Sequence, residues 1–83
     1  MEKIKVYSTE TCPYCVMVKE FLKDKKLEFE DIDVNSDKDK AQEMVEKSGQ
    51  MGVPVVDIGG KIIIGFDKPK IEETLKEKGY LKE

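Results

Sequence analysis

The chain has 83 residues, 39% of them apolar and 40% charged, and a chain this short hides only about 60–65% of the surface its unfolded form exposes, so one core has to serve a single domain spanning residues 1–83. With 18 acidic against 15 basic residues, the net charge of −3 argues against a nucleic-acid binder, which shows a basic stripe and a high pI. No apolar run approaches the roughly 18 residues of a membrane span, and Met1-Glu2-Lys3-Ile4 lacks the apolar stretch of a secretory signal, which points to a cytoplasmic protein without membrane contact.

In chain order, Lys3 to Tyr7 alternates as a short strand with Ile4 and Val6 on one face. Pro13 to about Lys25 reads as a helix: Pro13 suits its first turn, and Met17–Phe21 and Val18–Leu22 form i,i+4 apolar pairs. Leu27 to Val34 reads as a second strand whose apolar parity slips, which predicts an irregularity near Glu30-Asp31. Ser36 or Asp37 can cap a second helix carrying Ala41, Met44 and Val45, with Gly49 as its left-handed stop. Val53–Ile58 and Lys61–Ile64 are β-branched runs split by Gly59-Gly60, a two-residue hairpin signal. Asp67 can cap a last helix with Pro69 near its start, Ile71 and Leu75 inward and Gly79 at its end. The order β-α-β-α-β-β-α predicts an α/β architecture, a four-stranded mixed sheet flanked by three helices.

The cysteines carry the chemistry. Cys12 and Cys15 lie within four residues of each other, and a bridge between them would close too small a loop to constrain the unfolded chain. Such a bridge is a poor staple but can be opened and closed. They lie where the first strand gives way to the first helix, in Cys12-Pro13-Tyr14-Cys15. A helix N-terminus offers free N–H groups and the positive end of the macrodipole, so a thiol there loses its proton more readily than a free one, and the thiolate is the nucleophile. Cys12 is therefore expected to be the exposed attacker and Cys15, one turn in, the thiol that resolves a mixed disulfide. With no histidine and no second cysteine pair, an intramolecular Cys/His zinc site is excluded and no metal is expected. Met17, Met44 and Met51 are read as core or rim fillers, with a place lining the groove beside Val53 as the alternative for Met51, and Tyr7 and Phe29 as packing.

Over nearly its full length the chain resembles a glutaredoxin of the dithiol type. The tetrad matches that family's dithiol motif, Val53-Pro54 its Val-Pro, and Gly65-Phe66-Asp67 its glycine-rich turn followed by Asp. The resemblance implies a thioredoxin fold with a cis Pro54 and glutathione as co-substrate. It implies that Val53 offers its backbone N–H and C=O to the cysteine part of glutathione, that Tyr14 flanks the groove, and that the Phe66 backbone and Asp67 carboxylate hold the γ-glutamyl end. This chain departs from the family pattern at Thr9, where a lysine is usual, at Gly52 for threonine, at Ile64 for glycine, and at Phe66 for a small residue. Each change removes a charge or narrows the groove, which predicts weakened or rearranged glutathione binding. Lys68 reads first as a solvated lysine at the start of the last helix, and as the alternative a source of replacement charge.

The expected activity is reduction of protein disulfides through both cysteines, and of glutathionylated proteins through Cys12 alone, by a monomer. Within the same chemistry, the Gly-Phe pair is similar to glutaredoxin-like redoxins that take electrons from thioredoxin reductase. The rival from another class is a [2Fe–2S] scaffold dimer using Cys12 and glutathione; Pro13 and Tyr14 argue against it, since that role favours glycine near the tetrad.

Overall fold

The structure, a computed structural model, describes residues 3–50 and 52–81. Its elements are β1 (Ile4–Ser8), α1 (Pro13–Asp24), β2 (Phe29–Asp33), α2 (Lys38–Ser48), β3 (Val55–Ile58), β4 (Lys61–Ile64) and α3 (Lys68–Glu77). The order and the mixed four-stranded sheet agree with the sequence reading. The sheet runs β2-β1-β3-β4: β1 pairs parallel with β2 and antiparallel with β3, and β3 pairs antiparallel with β4. None of the described helices is long and apolar enough to cross a membrane.

Two buried clusters cover opposite faces of the sheet. Ile4 and Val6 of β1 meet Val18 and Leu22 of α1 and Ile71 and Leu75 of α3. On the other face Tyr7, Ile32 and Val55 meet Met44 of α2. This two-sided cover corrects the reading of β2. Its pairing with β1 runs unbroken from Ile4↔Phe29 to Ser8↔Asp33, without the irregularity expected near Glu30-Asp31. Phe29 packs on the α1/α3 face and Ile32 on the α2 face, so an apolar residue is useful on either parity.

The helix ends follow their local chemistry. Asp37, rather than Ser36, caps α2 by accepting from the N–H groups of Asp39 and Lys40, and Gly49 closes it at φ 76°. Gly59 and Gly60, both at positive φ, make the β3–β4 turn. β4 is an edge strand: Ile63 is buried, but Ile64 is 51% exposed. Met44 is core, whereas Met17 is 47% exposed and lies outside the α1 apolar stripe, which is Cys15, Val18 and Leu22.

Candidate functional site

The first strand ends at Ser8 and the chain turns into α1 through Cys12, which is the helix N-cap with extended backbone (φ −99°, ψ 107°). Pro13 follows at the first helical position, where its missing N–H costs no hydrogen bond. The Cys12 Sγ takes the part that a serine or aspartate oxygen usually plays: it accepts from the Cys15 backbone N–H at 3.1 Å. Cys12 is partly exposed and Cys15 is buried. The two thiols are free and differ in access as expected.

Burial pushes the Cys15 thiol up to about 12, and a hydrogen bond with Cys12 and the proximity of its sulfur act in the same direction. The Thr9 backbone N–H and the charge of Lys19 oppose the rise. A thiol so placed stays protonated until its surroundings change, which suits a second attacker rather than a first.

The other predicted site residues gather at the same end of the sheet by topology. Because β3 runs antiparallel to β1 and β4 antiparallel to β3, the start of β3 and the end of β4 both lie beside the end of β1: Tyr7 is opposite Val55, and Val55 opposite Ile64. Val53 is half-buried against the α2-side cluster. Pro54 is buried, follows a cis bond as expected, and its carbonyl accepts from the Gly65 N–H at 2.8 Å. That bond ties the Val-Pro corner to the Gly65-Phe66-Asp67 turn. Gly65 has φ 78°, a backbone region that side chains disfavour. Tyr14 is 61% exposed on the first turn of α1. Asp67 is exposed and caps α3, accepting from the Lys70 N–H at 3.3 Å.

The departures have structural consequences. The Phe66 ring packs edge-on against Phe21, centroids 6.1 Å apart, so its bulk is absorbed by α1. Lys68 carries its Nζ 5.7 Å from the centre of the Phe21 ring, a cation–π contact. At Gly52, the Gln50 side-chain amide both accepts from the backbone N–H (3.1 Å) and donates to the carbonyl (2.9 Å). A Cβ there would stand 2.8 Å from Gln50 Oε1; threonine at this position requires that amide to move. The reading of Met51 falls outside the described residues.

Two polar clusters escaped the sequence reading. On the α1 face, the buried Ser8 hydroxyl donates to Asp31 Oδ1 (2.9 Å) while Lys19 Nζ pairs with Asp31 Oδ2 (3.1 Å). On the α2 face, the Tyr7 hydroxyl donates to Glu43 and accepts from Lys47 at 3.1 Å, and Lys47 pairs with Asp57 at 2.9 Å. Signals existed for both: Lys19 lies one helical turn past Cys15, and Asp57 interrupts the apolar run Val55-Val56-Asp57-Ile58.

The sequence profile described as Glutaredoxin matches residues 4–63. The chain is 46% identical over 74 residues to an uncharacterized glutaredoxin-like 8.6 kDa protein in a rubredoxin operon of Clostridium pasteurianum, covering 89% of this chain and 99% of that one. Among solved structures, a glutaredoxin from Archaeoglobus fulgidus superposes with a TM-score of 0.84 at 31% identity, over 92% of this chain and 88% of that one. The NrdH-redoxin of Escherichia coli, described as a glutaredoxin-like protein with a thioredoxin-like activity profile, gives 0.78 at 25% identity, over 87% and 93%.

Proposed function

From the premise that this chain belongs to the glutaredoxin family and is a thiol–disulfide oxidoreductase with the thioredoxin fold, we propose that it is a cytoplasmic, glutathione-dependent monomer acting on protein disulfides and glutathionylated proteins. The observation that carries this reading is the asymmetry of the thiols: Cys12 partly exposed at the cap of α1, Cys15 buried one turn in. The Cys12 thiolate attacks a substrate disulfide and forms a mixed disulfide, expelling the other sulfur as thiolate. In the dithiol route Cys15 then attacks Cys12 and releases the bound substrate sulfur. In the monothiol route a glutathione thiolate attacks the glutathione sulfur of the glutathione–Cys12 disulfide, which forms oxidised glutathione and releases the Cys12 thiolate.

Val53, Tyr14, Phe66 and Asp67 are the residues assigned to hold glutathione, around the corner that Pro54 and Gly65 tie together. The exposed Asp67 carboxylate suits the ammonium of the zwitterionic γ-glutamyl end. The test is a coupled assay with glutathione and glutathione reductase. Cys15→Ser retains turnover of glutathione mixed disulfides and Cys12→Ser abolishes it. Asp67→Asn keeps most of the cap but loses the charge, and raises the KM for glutathione; an unchanged KM reduces Asp67 to a cap.

A second reading takes thioredoxin reductase as electron donor. It is favoured by Phe66, which places an aromatic ring against Phe21 where the family pattern has a small residue, and by the likeness to the NrdH-redoxin. Running the assay beside one with thioredoxin reductase and NADPH decides between the donors by which supports turnover.

A further inference from the structure

The buried thiol poses a problem that the Cys12-Cys15 motif alone does not solve. In the mixed disulfide, Cys12 is bonded to the substrate sulfur, so the push it exerts on Cys15 disappears, but the burial of Cys15 does not. To attack, Cys15 has to lose its proton in a place poor in solvent. Something in the fold has to favour the anion as it forms.

We propose that Lys19, held in place by Asp31 and through it by Ser8, is the cation beside which Cys15 becomes a nucleophile in the resolving step, a positioning and electrostatic role that rests on the reading of Cys15 as the resolving thiol. The geometry is specific. Lys19 follows Cys15 by one turn of α1, which puts the two side chains on neighbouring positions of one helix face. Its side chain is only 21% exposed and is held at 3.1 Å by Asp31, whose other oxygen is fixed by the buried Ser8 hydroxyl at 2.9 Å. A cavity of about 190 Å³ lined by Ser8, Thr9, Glu10, Lys19, Asp31 and Asp33 lies at this spot. It lies on the side of the sheet that α1 covers.

The charged and titratable groups around Lys19 are Asp31 and Asp33 from β2, Glu10 from the loop after β1, and the Cys15 thiol of α1. Three carboxylates would make this corner hostile to a second sulfur anion. Lys19 is the cation of the cavity lining, and its charge acts on Cys15 in the direction of the thiolate. Asp31 both anchors the ammonium and moderates it. The step balances without any further reagent. Cys15 gives its proton to water, its lone pair attacks the Cys12 sulfur, the Cys12–Cys15 bond forms as the bond to the substrate sulfur breaks, and the departing thiolate takes a proton from water. Cys15 is oxidised and the substrate sulfur reduced.

The step can be watched directly with the aromatic disulfide 5,5′-dithiobis(2-nitrobenzoate). Attack by Cys12 releases one coloured thiolate at a rate proportional to reagent; resolution by Cys15 releases the second at a rate independent of it. Lys19→Met and Lys19→Gln should each slow the second phase by about 3- to 10-fold near pH 7, with the rate–pH curve displaced upward by a comparable fraction of a pH unit, since one unit corresponds to a tenfold change in thiolate. Lys19→Arg should keep the second phase within about twofold, because it restores the charge. Lys23→Met, which removes a lysine one turn further along α1, should leave it unchanged. Cys15→Ser tests the reading beneath: it should release one thiolate only, and release of two would remove Cys15 from the resolving role. If Cys15→Ser releases one while the second phase of Lys19→Met and Lys19→Gln keeps its rate and pH curve, the role of Lys19 is overturned and that of Cys15 stands.

Discussion

Neighbouring residues of β1 send hydroxyl groups to opposite faces of the sheet, and each meets a lysine–aspartate pair. Tyr7 points toward α2 and joins Glu43, Lys47 and Asp57; Ser8 points toward α1 and joins Asp31 and Lys19. The chemistry is nearly the same, but the surroundings are not. Asp57 keeps only 11% of its side-chain surface, whereas Asp31 keeps 51%. The comparison teaches that burial, more than the type of pair, decides what such a cluster does. The α2 cluster fastens α2 to the sheet; the α1 cluster is left more open, beside the buried Cys15 thiol.

Lys47→Met offers the largest expected break in this comparison. Its ammonium is held well above the ordinary lysine range, first by the Asp57 carboxylate, and its loss strands a buried charge. Removing one partner of a buried pair costs about 3–5 kcal/mol; the remaining Gly60 N–H on Asp57 Oδ1 (2.9 Å) softens this to about 2–3 kcal/mol. Urea denaturation measures it. Combining Lys47→Met with Asp57→Asn should cost less than the two single changes added together, because the stranded charge is gone. Strict additivity would show that the pair does not interact.

The fold was legible because its signals are local: Pro13 at a helix start, Gly49 at a helix end, Gly59-Gly60 between β-branched runs, alternation in β1. The neighbouring thiols were legible for the same reason, since Cys12 and Cys15 occupy one turn. What the sequence hid was pairing across the sheet. Ser8 and Asp31 are 23 residues apart, and Tyr7 and Lys47 40; they meet only once the parallel β1–β2 register and the docking of α2 are fixed. Tyr7 does pack, but packing is half of its role, because the ring is buried while the hydroxyl reaches Glu43 and Lys47 of α2. The parity of β2 misled because alternation presumes one apolar face, and this strand puts Phe29 against one cluster and Ile32 against the other.

A smaller effect is expected from Tyr7→Phe, and it carries a pH signature. The Tyr7 hydroxyl holds the Glu43 carboxyl below the ordinary glutamate range. A depressed folded value means stability that is present above the unfolded value, about 4.3, and lost as pH falls through the folded one. Tyr7→Phe should therefore lower stability by about 1 kcal/mol at neutral pH. The gap from the parent protein should narrow as pH falls below the unfolded value. Thermal denaturation of both proteins from pH 7 to pH 3 provides the comparison. A gap that stays constant through that range would mean that Glu43 gains nothing from the hydroxyl.

The smallest stability effect should come from Lys19→Met, the counterpart of Lys47→Met on the other face. Its pair with Asp31 has the closer resemblance to a surface bridge, because water reaches half of the Asp31 side chain and solvates the carboxylate once the lysine is gone. Such pairs contribute about 0.2–1 kcal/mol, and the Ser8 hydroxyl remains to hold Asp31, so a loss of about 0.5 kcal/mol or less is expected in urea at low salt, shrinking further as salt is added. That near-silence is what gives the kinetic measurement its meaning. A variant that folds as firmly as its parent yet resolves its mixed disulfide several-fold more slowly has lost a charge at the reacting sulfur. If Lys19→Met instead costs as much stability as Lys47→Met, the two faces are alike after all, and slow resolution would report a loosened α1 rather than a missing cation.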